Sequence, residues 1–256
     1  MVSLRPWPAA IRKYLGVVLA LLAFAVLWQV ISALVRRPVL PGTATVTTTL
    51  IRLAVEGKLW RHVWASLSRI TWALIISSIP AIILGLAAGR SARLNRLISP
   101  VIYLLHPLPK AAFLPVIMLF FGIGEVSKVF LVAFIIFSQM LVTVRDAARQ
   151  IAGEYVDVVR SLGAGKTALL RHVVIPAALP GLFTGFRISL GTAVAVLFIA
   201  ETFVSESGLG HLIVDAWTRI AYAEIYAAIL ALSILGFLLF VLTDLLEFIL
   251  CPWRRT

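Results

Sequence analysis

The stretch DVVRSLGAGKTALLRHVVIP, residues 157–176, forms the centre of a polar island at residues 145–180, and long apolar segments flank this island on both sides. Residues 154–162 are predicted to form a short helix, with an acidic residue at its start, where the helix dipole favours negative charge. Gly163 is predicted to break that helix, because glycine readily adopts a positive φ angle.

A second short helix is predicted at residues 166–174, where apolar side chains recur at helical spacing. Pro176 and Pro180 are expected to end it, because proline lacks the backbone donor that an α-helix needs. From the residues alone the island has two interpretations. It is either a surface that contacts a partner or an amphipathic loop that rests on the membrane.

The composition predicts an all-α polytopic membrane protein. Of the 256 residues, 61% are hydrophobic and only 13% are charged, and the mean hydropathy is +1.04. A soluble domain of this length needs more polar surface to cover its core. The net charge of +12 does not indicate a nucleic-acid partner, because the basic residues are scattered at the ends of apolar segments and form no basic face with interleaved aromatic side chains.

Six apolar runs are long enough to cross a hydrocarbon core of about 30 Å as helices. They are predicted at residues 15–35, 70–89, 97–121, 129–144, 177–202 and 225–243. Lys and Arg are more frequent in the two tails and in the pieces after spans two and four than in the remaining connections. Since these residues concentrate on the cytoplasmic side of membrane proteins, both termini and the island are predicted to face the cytoplasm.

The island resembles the cytoplasmic loop signature of permease subunits of bacterial ABC importers. That signature is Glu-Ala-Ala, three residues, Gly, nine residues, Ile, one residue and Leu-Pro. The residues that match it in position are Asp157, Val158, Val159, Gly163, Val173, Ile175 and Pro176. Asp stands for the Glu and two Val stand for the two Ala, which changes the packing expected of the first short helix.

Further stretches resemble one branch of that family, the permeases for aliphatic sulfonates, taurine, nitrate and related solutes. These stretches are residues 105–110, 114–115, 121–125, 161–164, 176–180 and 207–210. The resemblance covers roughly residues 60–250. It divides the chain into an N-terminal tail with the first span and an external segment (1–60), an ABC importer type-1 transmembrane domain with five spans and a coupling loop at 145–178 (61–250), and a cytoplasmic tail (251–256).

The resemblance implies the type I ABC importer permease fold and a chain that forms the translocation pathway for a small solute, with an anion such as a sulfonate, taurine or nitrate expected. The implied partners are cytoplasmic ABC ATPase subunits, an external solute-binding protein and a second permease chain in a homodimer, at the bacterial inner membrane. The ATPase uses the ATP, so this chain is expected to bind no cofactor and not to be an enzyme. The implied coupling residues are Glu154, Asp157, Val158, Val159, Leu162, Gly163, Ala164, Val173, Ile175 and Pro176.

Candidate pathway residues lie in the third and fifth predicted spans. They are His106, Pro107, Pro109, Lys110 and Arg187. The prolines either line a pathway or form a packed kink. The two cations either attract an anionic solute or serve helix packing, in which case Arg187 is expected to bond backbone carbonyls freed by the broken third span.

Two further alternatives follow from the sequence. Residues 207–211, Ser-Gly-Leu-Gly-His, are predicted to be either a plain turn or a contact surface for the external binding protein. The rival function is a secondary transporter or channel that works without an ATPase. Ion coupling in that class uses intramembrane acids, and spans two to five contain none before Glu201 at an edge.

Overall fold

The computed structural model describes residues 7–105, 107–203 and 205–255, with side chains for all of them except residues 7–15, 17, 166, 254 and 255. The regular structure in these ranges is entirely helical, which confirms the all-α prediction. In chain order the helices are α1 (Trp7–Val35), α2 (Thr43–Val55), α3 (Lys58–Arg90), α4 (Ala92–Leu105), α5 (Leu114–Phe121), α6 (Glu125–Arg149), α7 (Gly153–Ser161), α8 (Lys166–Leu169), α9 (Ile175–Thr202), α10 (Leu209–Thr218) and α11 (Tyr222–Leu250). A 3₁₀ turn (Lys110–Phe113) precedes α5, a π turn (Leu170–Val174) joins α8 to α9, and a 3₁₀ turn (Pro252–Arg255) follows α11.

Five of these helices are long and apolar enough to cross a membrane: α1, α3, α6, α9 and α11. The third predicted span, residues 97–121, is present in two pieces, α4 and the segment Lys110–Phe121, which meet at an angle of 83°. The polytopic fold with six spans is therefore confirmed when the bent pair counts as one span. The bend in this span lies at Pro107 and Pro109, which each remove a backbone donor and prevent a continuous α-helix.

The core of the bundle is α6, which packs between α3 and α9. Glycines allow the close approach on both sides. A β-carbon at Gly89 of α3 would lie 2.5 Å from the Cβ of Ala148, and one at Gly181 of α9 would lie 2.4 Å from the Cβ of Ala147. Small residues are the usual means of close helix packing in membranes, because dispersion contacts replace the missing hydrophobic drive.

Helix α1 lies apart from this core, since most of its described side chains are exposed in the single chain. It is fastened near its C-terminal end. The Trp28 indole donates to the carbonyl of Pro41 at 3.0 Å, and the Ser32 hydroxyl donates to the carbonyl of Leu40 at 2.8 Å. Trp28 also packs edge-to-face on Tyr226 of α11. The rest of α1 therefore offers its apolar surface to lipid or to another chain.

Candidate functional site

The short helix α7 stands out from the bundle, and several of its apolar side chains are left uncovered by the described residues. Val156 is its buried anchor, whereas Asp157, Val158 and Leu162 are exposed, Leu162 to 81%. Exposed apolar side chains on an ordered helix are typical of a surface that another molecule covers. The predicted helix at residues 154–162 is thus present, shifted by one residue.

Gly163 ends α7 in the way that the sequence predicts. Its φ angle is +82°, a region that side chains with a β-carbon rarely occupy. The amide of Gly163 donates to the carbonyl of Arg160 at 2.9 Å, and the amide of Ala164 donates to the carbonyl of Val159 at 3.3 Å. This pair of bonds is the Schellman motif, which satisfies the last carbonyls of a helix.

The predicted end of the second helix at Pro176 is wrong. The chain runs as one helical segment from α8 through the π turn into α9, and Pro176 and Pro180 both lie within it. The Ile175 amide reaches back five residues to the carbonyl of Leu170. The wider π turn ends one residue before Ile175 and Pro176 open α9, at the place where the proline ring would otherwise crowd the preceding turn.

An open groove of about 770 Å³ runs beside α7 and brings half of the predicted coupling residues together. Its lining contains Glu154, Val158, Val159, Val173 and Pro176 together with Tyr155, His172, Ala177 and Trp253. Trp253 comes from the 3₁₀ turn after α11 and was not predicted. Asp157, Leu162, Gly163, Ala164 and Ile175 do not line the groove, and all of these except the half-buried Ala164 are exposed.

Arg187 lies between two carboxylates of α11. Its Nε donates to Oδ1 of Asp244 at 2.6 Å, and its NH2 group donates to Glu247. The sequence-based expectation that a packing Arg187 would bond freed carbonyls of the third span is therefore wrong. Asp244 lies one residue beyond the predicted sixth span, and helical continuation of α11 to Leu250 brings both acids level with Arg187.

Lys110 differs from Arg187 in its surroundings. It lies half-buried at the start of the 3₁₀ turn that follows Pro109, inside the bent span. Across the described side chains, the structure records no carboxylate or other hydrogen-bond partner for its ammonium group. His106, the neighbouring candidate, lies outside the described residues, and Pro107 and Pro109 form the bend itself.

A buried charge cluster at the opposite end of the bundle from α7 was not predicted. Arg69 of α3, 1% exposed, donates through Nε and NH2 to both oxygens of Glu125 at 2.5 Å each, and through NH1 to Glu201 at 2.6 Å. The cluster therefore joins α3, α6 and α9. The sequence does contain a signal for this cluster, because a cation and two acids stand at the ends of three apolar runs. It does not indicate that they pair, because Arg69 lies 56 positions from Glu125 and 132 positions from Glu201.

A charged cavity of about 560 Å³ lies beside this cluster, between α2, α3 and α10. Arg219 pairs there with Asp215 at 2.7 Å and with Glu224 at 2.9 Å, and these hydrogen bonds raise the pKa of the guanidinium. Lys58 bonds Glu56 at 2.8 Å and lowers the pKa of that carboxyl. Both shifts favour the charged forms of Arg219 and Glu56. The predicted contact segment 207–211 adjoins the cavity, since His211 stacks on the lining residue His62.

Comparison with known proteins agrees with this geometry. A family model described as the binding-protein-dependent transport system inner membrane component matches residues 81–256. The chain is 31% identical to the taurine transport system permease protein TauC of Escherichia coli (strain K12), over 97% of this chain and 92% of that protein. It is 32% identical to a protein named as an aliphatic sulfonates transport permease, SsuC of Bacillus subtilis (strain 168), over 96% of this chain and 91% of that protein.

Two other similarities show how far the likeness extends. The riboflavin transport system permease protein RibX of Chloroflexus aurantiacus is 33% identical over 98% of this chain and 92% of that protein. A solved chain of the MetNI methionine ABC transporter, in an inward-facing conformation, superposes with a TM-score of 0.61 over 76% of this chain and 98% of that chain. At 20% identity this second likeness concerns the fold.

Proposed function

This chain belongs to the binding-protein-dependent transport system inner membrane component family as the permease subunit of an ABC importer, and we propose that it carries a small oxyanion such as a sulfonate, taurine or nitrate. The observation that carries the proposal is the half-buried Lys110 inside the bent span, whose ammonium group has no partner among the side chains that the structure describes. A charge in such a place is costly unless it faces a partner or a water-filled cavity. An anionic solute supplies the missing partner.

The names of relatives support the same class of solute without selecting it. TauC and SsuC are named for taurine and aliphatic sulfonates, whereas RibX is named for riboflavin, at similar identity to this chain. The surroundings of Lys110 are therefore stronger support for an anionic solute than the names of the relatives are. Arg187 is weaker support for an anionic solute, because Asp244 and Glu247 already neutralise its charge.

The test is uptake of labelled taurine into vesicles that contain the permease with its ATPase and binding protein. We expect Lys110→Met, which removes the charge at similar length, to lower uptake about tenfold or more, as the loss of one charge-assisted contact predicts. Lys110→Arg should retain most of it. Both variants should still co-purify with the ATPase. Uptake that is unchanged in Lys110→Met would contradict the anion proposal.

The cytoplasmic partner is proposed to be an ABC ATPase that binds α7 and the groove beside it. The support is the exposed apolar surface formed by Val158 of α7 and Leu162 directly after it, next to an open groove that Trp253 helps to line. Co-purification tests this directly and separates the importer from the rival transporter or channel. Leu162→Asp should keep the permease in the membrane and lose the ATPase, and Thr167→Asp, on an exposed residue outside the groove, is its control.

The other proposed partners are a solute-binding protein at the charged cavity and a second copy of this chain, with both termini in the cytoplasm. The cavity supports the first, because its mixture of paired charges suits a polar, releasable contact. The uncovered apolar length of α1 supports the second. Two copies would then enclose the pathway between them.

A further inference from the structure

The buried cluster around Arg69 does more than join three helices, because part of it caps a fourth. Helix α10 begins after Gly208, whose φ angle is +121° and which has no side chain to cap the helix. A β-carbon at Gly208 would lie 2.3 Å from Cδ of Glu201. The capping groups come instead from other helices. Ser66 Oγ accepts a hydrogen bond from the Leu209 amide at 2.8 Å, and Glu201 accepts one from the Gly210 amide at 2.8 Å.

The Glu201 side of the cluster is therefore a fixed attachment. Glu201 is 0% exposed and is bonded to Arg69, to the Ser66 hydroxyl and to the Gly210 amide. Moving it away would deprive the buried Arg69 NH1 group of its carboxylate and leave the buried Gly210 amide without its acceptor, which is strongly unfavourable. We expect α3, α9 and the start of α10 to stay together for this reason.

The Glu125 side differs in its access to water. The side chain of Glu125 is 62% exposed, although its bonding partner Arg69 is almost fully buried. Its other recorded contact is the buried Lys128, at 3.8 Å. Water can therefore solvate Glu125 as soon as it leaves Arg69, so this bond is much easier to break than the bond to Glu201.

The backbone before Glu125 leaves room for such a movement. Helix α6 begins directly after Gly122, Ile123 and Gly124. Gly122 has a φ angle of +78°, and no heavy atom lies within 4 Å of a β-carbon built on either glycine. Because the side-chain positions of both glycines face open space, this short link is suited to act as a hinge between α5 and α6, with the Ser127 hydroxyl donating to the Gly122 carbonyl as its hydrogen bond to α6.

We propose that Arg69 is the fixed centre of a latch in which Glu125 is the releasable half. With the latch closed, the start of α6 and the bent span that contains Lys110 are held against α3 and α9. Release of Glu125 frees the start of α6 while Arg69 keeps its bond to Glu201. The proposal rests on the proposed function, because opening belongs to a transport cycle, and it makes Arg69 a positioning residue that does not contact solute.

A buried reporter position can detect the opening. Ser127, in the first turn of α6, is 0% exposed, so a cysteine there should react slowly with a small thiol reagent while the latch is closed. The parent protein carries Ser127→Cys and Cys251→Ser, the second change removing the native thiol. We expect Glu125→Gln to raise the labelling rate of position 127 about tenfold, since one charge-assisted bidentate bond is lost.

Matched variants separate a latch from a general loss of structure. Glu206→Gln removes the same charge from an exposed residue close by and should leave the rate unchanged. Glu125→Asp, one methylene shorter, should give an intermediate rate. Labelling in Glu125→Gln that equals the parent's would overturn the latch, and so would an equal increase in Glu206→Gln.

The link to transport has its own measurement in vesicles with ATPase and binding protein. ATP turnover should accelerate labelling of the parent several-fold and should leave the rate in Glu125→Gln nearly unchanged. No acceleration in a parent that still hydrolyses ATP would overturn the role in the cycle. A parent that fails to bind any ATPase would instead contradict the proposed function, while the labelling comparison without ATP would still test the latch.

Discussion

At the scale of single residues, the two cations predicted to line the pathway differ in their partners. Among the described side chains Lys110 has no carboxylate partner, whereas Arg187 has two. Arg187 donates to Asp244 and to Glu247, and it is only partly exposed. We expect Arg187→Gln to lower the stability of the folded chain by about 2 kcal/mol or more, because two neighbouring carboxylates lose the guanidinium between them. Thermal unfolding in detergent measures this effect.

The matched variants for Arg187 are Arg187→Lys, which keeps the charge, and a triple variant that adds Asp244→Asn and Glu247→Gln. Both should recover part of the lost stability. An Arg187→Gln protein with unchanged thermal stability and impaired uptake would instead favour a direct role in solute passage.

Gly163 allows a second prediction at this scale. Its φ of +82° makes a β-carbon unfavourable by about 1 kcal/mol or more, although no heavy atom lies within 4 Å of that position. We expect Gly163→Ala to weaken ATPase co-purification while the amount of protein in the membrane stays normal. Gly165→Ala is the control, since Gly165 also has open space but lacks a positive φ. Equal behaviour of the two variants would show that the turn geometry is unimportant.

Among the elements, the contact of α6 with α9 depends on the absence of a single methyl group. A β-carbon at Gly181 would lie 2.4 Å from the Cβ of Ala147, whereas one at Gly191 of the same helix would have its nearest neighbour at 3.9 Å. Gly181→Ala should therefore destabilise the chain by about 1–3 kcal/mol through overpacking, and Gly191→Ala should change little. Thermal unfolding compares them.

A compensating exchange tests the cause of that effect. Gly181→Ala combined with Ala147→Gly moves the methyl group to the other helix and should recover most of the stability. Failure of the exchange to recover it would show that the loss at Gly181 arises from something other than the Ala147 contact.

For the whole molecule, the proposed orientation places α7 and the buried Arg69 cluster on opposite sides of the membrane. Cysteines at the exposed positions Lys58 and Glu206 should then react with an impermeant reagent added to intact cells. Cysteines at the exposed positions Arg93 and Leu162 should react only after lysis. The opposite pattern would contradict both the cytoplasmic termini and the proposed ATPase contact.

Local sequence alone predicts which segments are helical and where the main interruptions fall. A segment that crosses a bilayer must satisfy its own backbone hydrogen bonds, so apolar length predicts α1, α3, α6, α9 and α11. The bend after Pro107 and the turn at Gly163 are local as well, because each depends on the chemistry of one or two residues.

The packing of the helices sets which charges meet. Arg187 and Asp244 are 57 positions apart, and Arg69 and Glu201 are 132 apart, so neither pairing follows from the period of any one helix. It also decided that the helix continues through Pro176, because the π turn accommodates the proline at a place where local propensity predicts an end. The physical reason for the two charge pairs is that a charge removed from water is stabilised by an opposite charge that only the packing of distant segments brings within bonding distance. At Pro176 the reason is the five-residue bond of the π turn, which lets the helix continue without the donor that proline lacks.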